Sequence, residues 1–181
     1  PSNLETYVDV GNVAAPLEGT HRPGHFRGVA TVVTKLFTIT RPNRAYFGEK
    51  DGQQVAVVRR LNDDLNLGVE LIVMPTVREP SGLAMSSRNN YMGKTERISG
   101  GILYQSLCSA RQHFDMGERN AKTLRQIVLS VLRLEPSARI EYVSIADADT
   151  MEELDTVDRR TMISLAVSIK HTRPVSYTHL T

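Results

Sequence analysis

The chain has 181 residues, 40% of them hydrophobic, enough for one core of ordinary size or two small ones. Its formal net charge of +2, with Lys and Arg interspersed among Asp and Glu, forms no basic stripe of the kind that marks a nucleic-acid partner. A single cysteine, Cys108, excludes an internal disulfide and a cysteine-based zinc site, and no apolar run is long enough to span a bilayer. No signal peptide opens the chain, so a reducing cytoplasm is the expected compartment. The opening Pro1-Ser2-Asn3, without a Met, is expected to lie inside a longer protein.

Thr6-Tyr7-Val8-Asp9-Val10 has strand character and is followed by the turn-forming Gly11-Asn12. Residues 13–26 read as irregular. Over residues 28–39, Val29, Val32, Val33, Leu36 and Phe37 recur at helical spacing, and Pro42 ends that helix. Residues 44–47 predict a short strand. Asp51 is placed to cap a second helix, on which Val55, Val58, Leu61 and Leu65 share a face. The nearly continuous apolar run at 69–73 predicts a strand covered on both sides. Helix, strand, helix, strand in that order predicts part of a parallel α/β sheet. After Tyr91 the character changes. Residues 95–116 predict one helix, through Ile98, Ile102, Leu103, Leu107 and Ala110, with Cys108 as a packed thiol. Residues 121–134 predict another, closed by Pro136, and strands follow at 139–145 and 161–167. Helices followed by strands without interleaving predict a small, separate α+β unit, with the joint near residues 90–94.

Two polar signatures stand out, Phe47-Gly48-Glu49-Lys50-Asp51 and Met85-Ser86-Ser87-Arg88-Asn89, each after an apolar stretch. Gly48 allows close approach of backbone to a ligand, Lys50 carries a mobile positive charge, Ser86 and Ser87 carry hydroxyl donors, and Arg88 carries a planar fork that suits phosphate oxygens. Two such loops at the ends of parallel strands would make a nucleotide phosphate site, although the GxxxxGK[ST] spacing is absent. The plainer alternatives are a solvated turn capped by Asp51 and a serine-rich turn with a structural arginine. His21-Arg22-Pro23-Gly24-His25 reads as a loop that closes on an anionic substrate, or as a surface turn held by Pro23; its spacing does not suit a metal site. Of Gln53 and Gln54, only one side chain can point inward from a helix start, so at most one amide reads a substrate. Asp63 and Asp64 read as a solvated helix face, and Asp147 and Asp149 as strand-end and turn residues.

Taken in order, Arg22-Pro23-Gly24-His25-Phe26-Arg27-Gly28-Val29, the Gly48 motif with Gln53-Gln54, Pro75-Thr76-Val77-Arg78-Glu79, and Gly82-Leu83-Ala84-Met85-Ser86-Ser87-Arg88-Asn89 resemble the pantoate–β-alanine ligases. The resemblance runs on through Asp147-Ala148-Asp149-Thr150 and Leu165-Ala166-Val167 and covers roughly residues 5–173. It implies the C-terminal part of a Rossmann-like nucleotidylyltransferase parallel-sheet domain (residues 1–92), a small C-terminal α+β domain (93–173), ATP and Mg²⁺ as cosubstrate and cofactor, pantoate and β-alanine as substrates, and a homodimer. It also implies a two-step ligation. Pantoate attacks the α-phosphate of ATP to give pantoyl adenylate and pyrophosphate, and the amine of β-alanine then displaces AMP. Carried over by motif, Gly48 and Asp51 lie by the ATP ribose, with Glu49 beside them in the ATP-binding set. Lys50, Ser86, Ser87 and Arg88 face the phosphates, and Lys50, Ser86 and Arg88 are the catalytic candidates. Val77 and Met85 lie near the adenine, Gln54 hydrogen-bonds pantoate, and Arg22 sits in a substrate-side loop.

Three departures accompany the resemblance. The family's first strands, its HIGH-type histidine pair and a further pantoate-binding glutamine have no counterpart here, so this chain alone is expected to be inactive. Gly52 and Ser81 stand where the family usually has an aromatic residue and Asp. After Thr172-Arg173, residues 174–181 do not continue the pattern and are expected to be a non-native tail outside the fold. The competing readings are another adenylyl- or cytidylyltransferase with a similar phosphate loop, and a non-catalytic truncated chain that only self-associates.

Overall fold

A computed structural model describes residues 3–170 and 175–180, so the opening Pro1-Ser2, the end of the family resemblance at Thr172-Arg173, and Pro174 and Thr181 of the expected tail lie outside the described residues. By its own contacts the chain divides into two units. Pro1–Pro75 with Asp149–Met151 form the first, and Thr76–Ala148 with Glu152–Thr181 form the second. Residues 76–92, read from sequence with the first domain, make their contacts within the second unit.

In unit 1 the residues expected as a first strand, 6–10, form none. Val8 N–H instead donates to Thr31 Oγ1 at 3.0 Å, and Val8 and Val10 lie against the local core. The stretch read as irregular contains a short helix, α1 (Glu18–His21). Helix α2 (His25–Thr40) opens on Gly24 at φ +78°, a conformation that costs glycine little. It closes on Arg41 in the left-handed region, with Pro42 barring continuation. Its buried residues, Phe26, Ala30, Val33 and Phe37, repeat at helical spacing, but Val32 and Leu36 of the same apolar series are about half exposed.

Strand β1 (Arg44–Gly48) crosses over through α3 (Gly52–Asp64) to β2 (Glu70–Met74), and the two strands pair in parallel from Arg44↔Glu70 to Gly48↔Met74. The Arg44 guanidinium and the Glu70 carboxylate meet at 2.6 Å on the first rung. The expected parallel pairing and its helical crossover are therefore present. The expected two-sided cover of β2 is not: its three central residues are only half buried, and Leu65, read onto the buried face of α3, is 45% exposed. Ala30, Val33, Phe37, Val58, Leu61 and Val69 form one core cluster of the unit, and Val13, Phe26, Val55, Ala56 and Val57 are buried as well.

Unit 2 begins with a loop and continues as α4 (Lys94–Ser99), α5 (Ile102–Asp115) and α6 (Ala121–Leu132). The single helix expected over 95–116 is divided at Gly100-Gly101, where the backbone of Ser81 passes close by. A Cβ on Gly101 would lie 2.2 Å from the Ser81 carbonyl oxygen. Cys108 is exposed, contrary to the expected packed thiol, since α5 turns Leu103, Leu107, Ala110 and Phe114 inward and leaves Cys108 on the outer side. Helix α6 is capped by Asn120, whose side chain accepts from Thr123 N–H, and buries Leu124, Val128 and Leu132.

Strands β3 (Ala138–Asp147) and β4 (Thr161–Ile169) pair antiparallel, with an irregularity at Glu141 between Ile140 and Tyr142. A third strand, β5 (Val175–Leu180), pairs antiparallel with β4, and Leu180 is fully buried. Residues 175–180, read from sequence as a tail outside the fold, form this strand, which covers one edge of β4 and buries Ser176 and Leu180. Ile163, Leu165, Val167 and Ile169 of β4 meet α5 and α6 in one continuous core.

Candidate functional site

In unit 1, β1 ends at Gly48 and a single 3₁₀ turn, Glu49–Asp51, leads straight into α3. Gly48 has an ordinary extended backbone, φ −72° and ψ 128°, so conformation does not demand glycine there. Open space does face it, with nothing within 4 Å of where a Cβ would sit. Lys50 is largely sheltered along its stem, and its Nζ lies 3.5 Å from Asp51 Oδ1. Asp51 occupies the N-cap position of α3 but makes no side-chain capping hydrogen bond, contrary to the sequence reading, because its carboxylate is turned to Lys50.

The two glutamines divide as one inward and one outward. Gln53 is buried and its amide is fully engaged. Nε2 donates to the carbonyls of Val13 (3.1 Å) and Pro16 (2.7 Å), and Oε1 accepts from Glu18 N–H (3.1 Å). That leaves Gln54, half buried, as the amide with no hydrogen bond among the described residues. Through Gln53, residues 13–18 are fastened to the start of α3, immediately beside the Lys50 turn.

Arg22 follows that fastened segment. Its Nη1 lies 3.0 Å from His25 Nε2. Arg22, Asp9, Gly11, Gly19 and Arg27 are among the residues lining an open cavity of about 190 Å³. Asp9 hydrogen-bonds Arg27 at 2.8 Å, and this contact raises the Arg27 pKa above its ordinary value.

In unit 2, residues 77–85 double back on themselves. Met85 N–H donates to Val77 O (2.9 Å), Glu79 N–H to Leu83 O (2.8 Å) and Gly82 N–H to Glu79 O (2.8 Å). Gly82 sits at φ +90° against the Tyr104 ring, and Arg78 stacks over that ring at 4.1 Å while donating to Gly82 O and Ser176 Oγ. The backbone pairing puts Val77 and Met85 side by side, 65% and 55% exposed. A 3₁₀ helix, Ser87–Tyr91, follows. Ser86 is its N-cap, and Ser86 Oγ accepts from Arg88 N–H at 3.3 Å. Ser87 and Arg88 are exposed, and the Arg88 guanidinium has no partner among the described residues.

Gly48, Glu49, Lys50, Asp51, Gln54 and Arg22 thus fall in unit 1, and Val77, Met85, Ser86, Ser87 and Arg88 in unit 2. The sequence reading assigned no role to the groups that hold these loops: Gln53 in the first unit, Arg78, Glu79 and Asn89 in the second. Asn89 carried no sequence signal of its role: it ends a polar motif, yet it is 4% exposed in the fold. Among the described residues no three His, Cys, Asp or Glu side chains gather as a metal site, and no helix is long and apolar enough to cross a membrane.

Comparison with known proteins adds an independent line. The family model of the pantoate-beta-alanine ligases matches residues 1–176. The pantothenate synthetase of Roseiflexus sp. is 56% identical over 173 residues, covering 96% of this chain and 62% of the relative. That of Roseiflexus castenholzii is 57% identical with the same coverage. Among solved structures, pantothenate synthetase from Thermus thermophilus superposes with a TM-score of 0.92 at 39% identity, over 98% of this chain and 64% of that one. The pantoate-beta-alanine ligase from Francisella tularensis, complexed with beta-gamma ATP and beta-alanine, has a TM-score of 0.66 at 31% identity, over 96% of this chain and 57% of that one. The chain spans about 62% of the length of the Roseiflexus relatives it matches.

Proposed function

The chain belongs to the pantoate–β-alanine ligase family, and on that premise we propose that the protein joins pantoate to β-alanine at the expense of ATP, through a pantoyl-adenylate intermediate. The observation that carries this reading is the family match across residues 1–176, which takes in both polar loops. In the first step a carboxylate oxygen of pantoate forms a bond to the α-phosphorus of ATP, and the bond from that phosphorus to the bridging oxygen breaks, releasing pyrophosphate. In the second, the β-alanine amine attacks the acyl carbon, its proton is lost, and AMP departs.

The chain's own groups would act mainly on charge. As the bridging bond breaks, negative charge grows on the leaving pyrophosphate, where a positioned cation is worth more than in the ground state. Lys50, at the mouth of α3, and Arg88, exposed without a partner among the described residues, suit that role. Ser86 and Ser87 supply hydroxyl donors to phosphate oxygens. Gly48, Glu49 and Asp51 border the ribose and Val77 and Met85 the adenine, the last two as an adjacent exposed apolar pair. Gln54, the outward amide of its pair, is assigned to pantoate, and Arg22 to the substrate-side loop. Mg²⁺ enters as MgATP, carried by the phosphates. The described residues gather no metal cluster of their own, and no step is assigned to the ion.

We further read the first unit as part of a Rossmann-like nucleotidylyltransferase domain and the second as a C-terminal α+β domain, with residues 76–92, expected from sequence in the first, grouped with the second by their contacts, in a cytoplasmic homodimer. The test is AMP and pantothenate formation from pantoate, β-alanine, MgATP and the protein extended to its relatives' length. Lys50→Ala and Arg88→Ala are each expected to slow pyrophosphate release by ~10²-fold or more while altering pantoate binding little. Unchanged turnover in either variant removes that residue from the role. The 181 residues alone are expected to make no pantothenate, because the chain spans about 62% of its relatives' length and the resemblance implies further ATP- and pantoate-binding groups in the remainder. Steady AMP release matched by pantothenate would overturn that expectation.

A further inference from the structure

We propose that Glu79 is a positioning residue for the Ser86-Ser87-Arg88 turn and acts through Asn89; this rests on the reading of Arg88 as a phosphate-facing group. Arg88 is exposed and has no partner among the described residues, so nothing along its own side chain fixes where its charge points. What is fixed is the backbone on either side. Asn89 is 4% exposed, and its Nδ2 donates to Glu79 Oε1 at 2.8 Å and to Ala84 O at 3.0 Å. Its backbone N–H donates to Ser86 O at 3.0 Å, closing the turn that holds Arg88. Glu79 is itself held at its root by the backbone bonds with Leu83 and Gly82. One carboxylate oxygen therefore links the two ends of a ten-residue excursion, with the site loop suspended between them.

Glu79 also has a second neighbour, Arg97, whose Nη1 lies 3.7 Å from the same oxygen. The two contacts make different demands. The Arg97 pair needs the negative charge, whereas the Asn89 amide needs only an acceptor in place, and a glutamine oxygen supplies that. Glu79→Gln and Glu79→Ala both abolish the ion pair, but only Glu79→Ala abandons Asn89, leaving its buried amide short of one acceptor.

The test uses the 181-residue chain and trypsin, following cleavage of the Arg88–Asn89 bond against cleavage after Arg133. A held turn must open before the protease can take it. Glu79→Ala is expected to speed cleavage after Arg88 by about tenfold or more, with Glu79→Gln within about twofold of the parent. If Glu79→Ala fails to fold, Asn89→Ser carries the same comparison from the other side. No acceleration in Glu79→Ala or Asn89→Ser overturns the proposal, and so does an acceleration in Glu79→Gln as large as in Glu79→Ala, which would make the Arg97 pair the operative contact. A separate arm tests the underlying reading, by protection of Arg88 from an arginine-selective dicarbonyl reagent with pyrophosphate. Protection in the parent that is weakened in Glu79→Ala and restored in Glu79→Gln supports both. Absent protection with the cleavage pattern intact overturns the phosphate reading and leaves Glu79 as the residue that fixes Arg88.

Discussion

Unit 1 and unit 2 solve the same problem, burying one face of a sheet under helices, with unequal means. In unit 2 a three-stranded antiparallel sheet presents Ile163, Leu165, Val167 and Ile169 to α5 and α6, all but fully buried. In unit 1 a two-stranded parallel sheet has its three central β2 residues only half buried, and α2 leaves Val32, Leu36 and Ile39 between 51% and 74% exposed along one side. Parallel sheets ordinarily have both faces covered. The comparison teaches that the unit with the α3 phosphate-loop candidate is the one that leaves apolar helix surface exposed, while the Arg88 loop is built onto the unit whose β4 is almost wholly covered.

The largest expected effect that separates the two comes from core truncation. Leu124→Ala, at a site packed on all sides, is expected to destabilise unit 2 by about 4–5 kcal/mol, near the top of the range for such changes. Leu61→Ala in unit 1 is equally buried at the side chain but lies in a cluster with exposed flanks that can settle into the gap. It is expected near the lower end, about 2–3 kcal/mol. Amide hydrogen exchange on β4 and on β1 reads the two costs separately. Equal losses would break the comparison.

The same contrast explains what was legible in the sequence. The parallel βαβ crossover was readable because Val55, Val58 and Leu61 repeat on one face and lead into the apolar run at 69–73. The partial shelter of β2 was not, since an apolar run reports that a strand wants cover without reporting how much it has. Residues 6–10 carry strand composition, yet a strand needs a neighbour, and Val8 found the Thr31 hydroxyl instead. The break in the helix over 95–116 falls at Gly100-Gly101, where the Ser81 backbone passes Gly101, a contact between residues twenty apart that periodicity does not encode. β5 was missed because a segment without a family pattern can still pair by backbone alone. In the site, the charged and hydroxyl groups were named from their chemistry. Their supports, Gln53 and the Glu79–Asn89 clasp, were not, because a buried amide and an exposed one look alike in sequence.

A smaller effect, of opposite sign in the two units, sharpens the comparison. Gly28 lies in the interior of α2 with open space where a Cβ would go, so Gly28→Ala is expected to stabilise unit 1 by about 0.5–1 kcal/mol through the restricted unfolded chain. Gly101→Ala places its Cβ 2.2 Å from the Ser81 carbonyl oxygen and 3.0 Å from that of Ile98, so backbone must shift. That is expected to destabilise unit 2 by about 1–3 kcal/mol. Denaturant midpoints of the two variants against the parent decide the matter, and a stabilising Gly101→Ala would show that the junction of α4 and α5 is looser than its packing indicates.

The smallest effect is a titration confined to unit 2. Just past α6, Glu135 Oε1 accepts from the Ser137 hydroxyl at 2.6 Å and from its backbone N–H at 3.0 Å. Both bonds favour the charged carboxylate, the hydroxyl most, and hold the Glu135 pKa below its ordinary value of 4.5. For a group whose folded pKa is depressed, the stabilisation is complete above the unfolded pKa and is lost as pH falls through the folded one. Ser137→Ala removes the larger of the two bonds. The parent is therefore expected to be more stable than Ser137→Ala at neutral pH, with the gap closing below pH 4.5 as Glu135 takes up its proton. Glu135 is partly buried at a surface turn where water still screens its charge, so the gap is expected to be small, and urea titrations of both proteins at matched pH are needed to see it. A gap that stays constant through the acid range would mean that Ser137 stabilises the turn by packing and leaves the charge of Glu135 untouched.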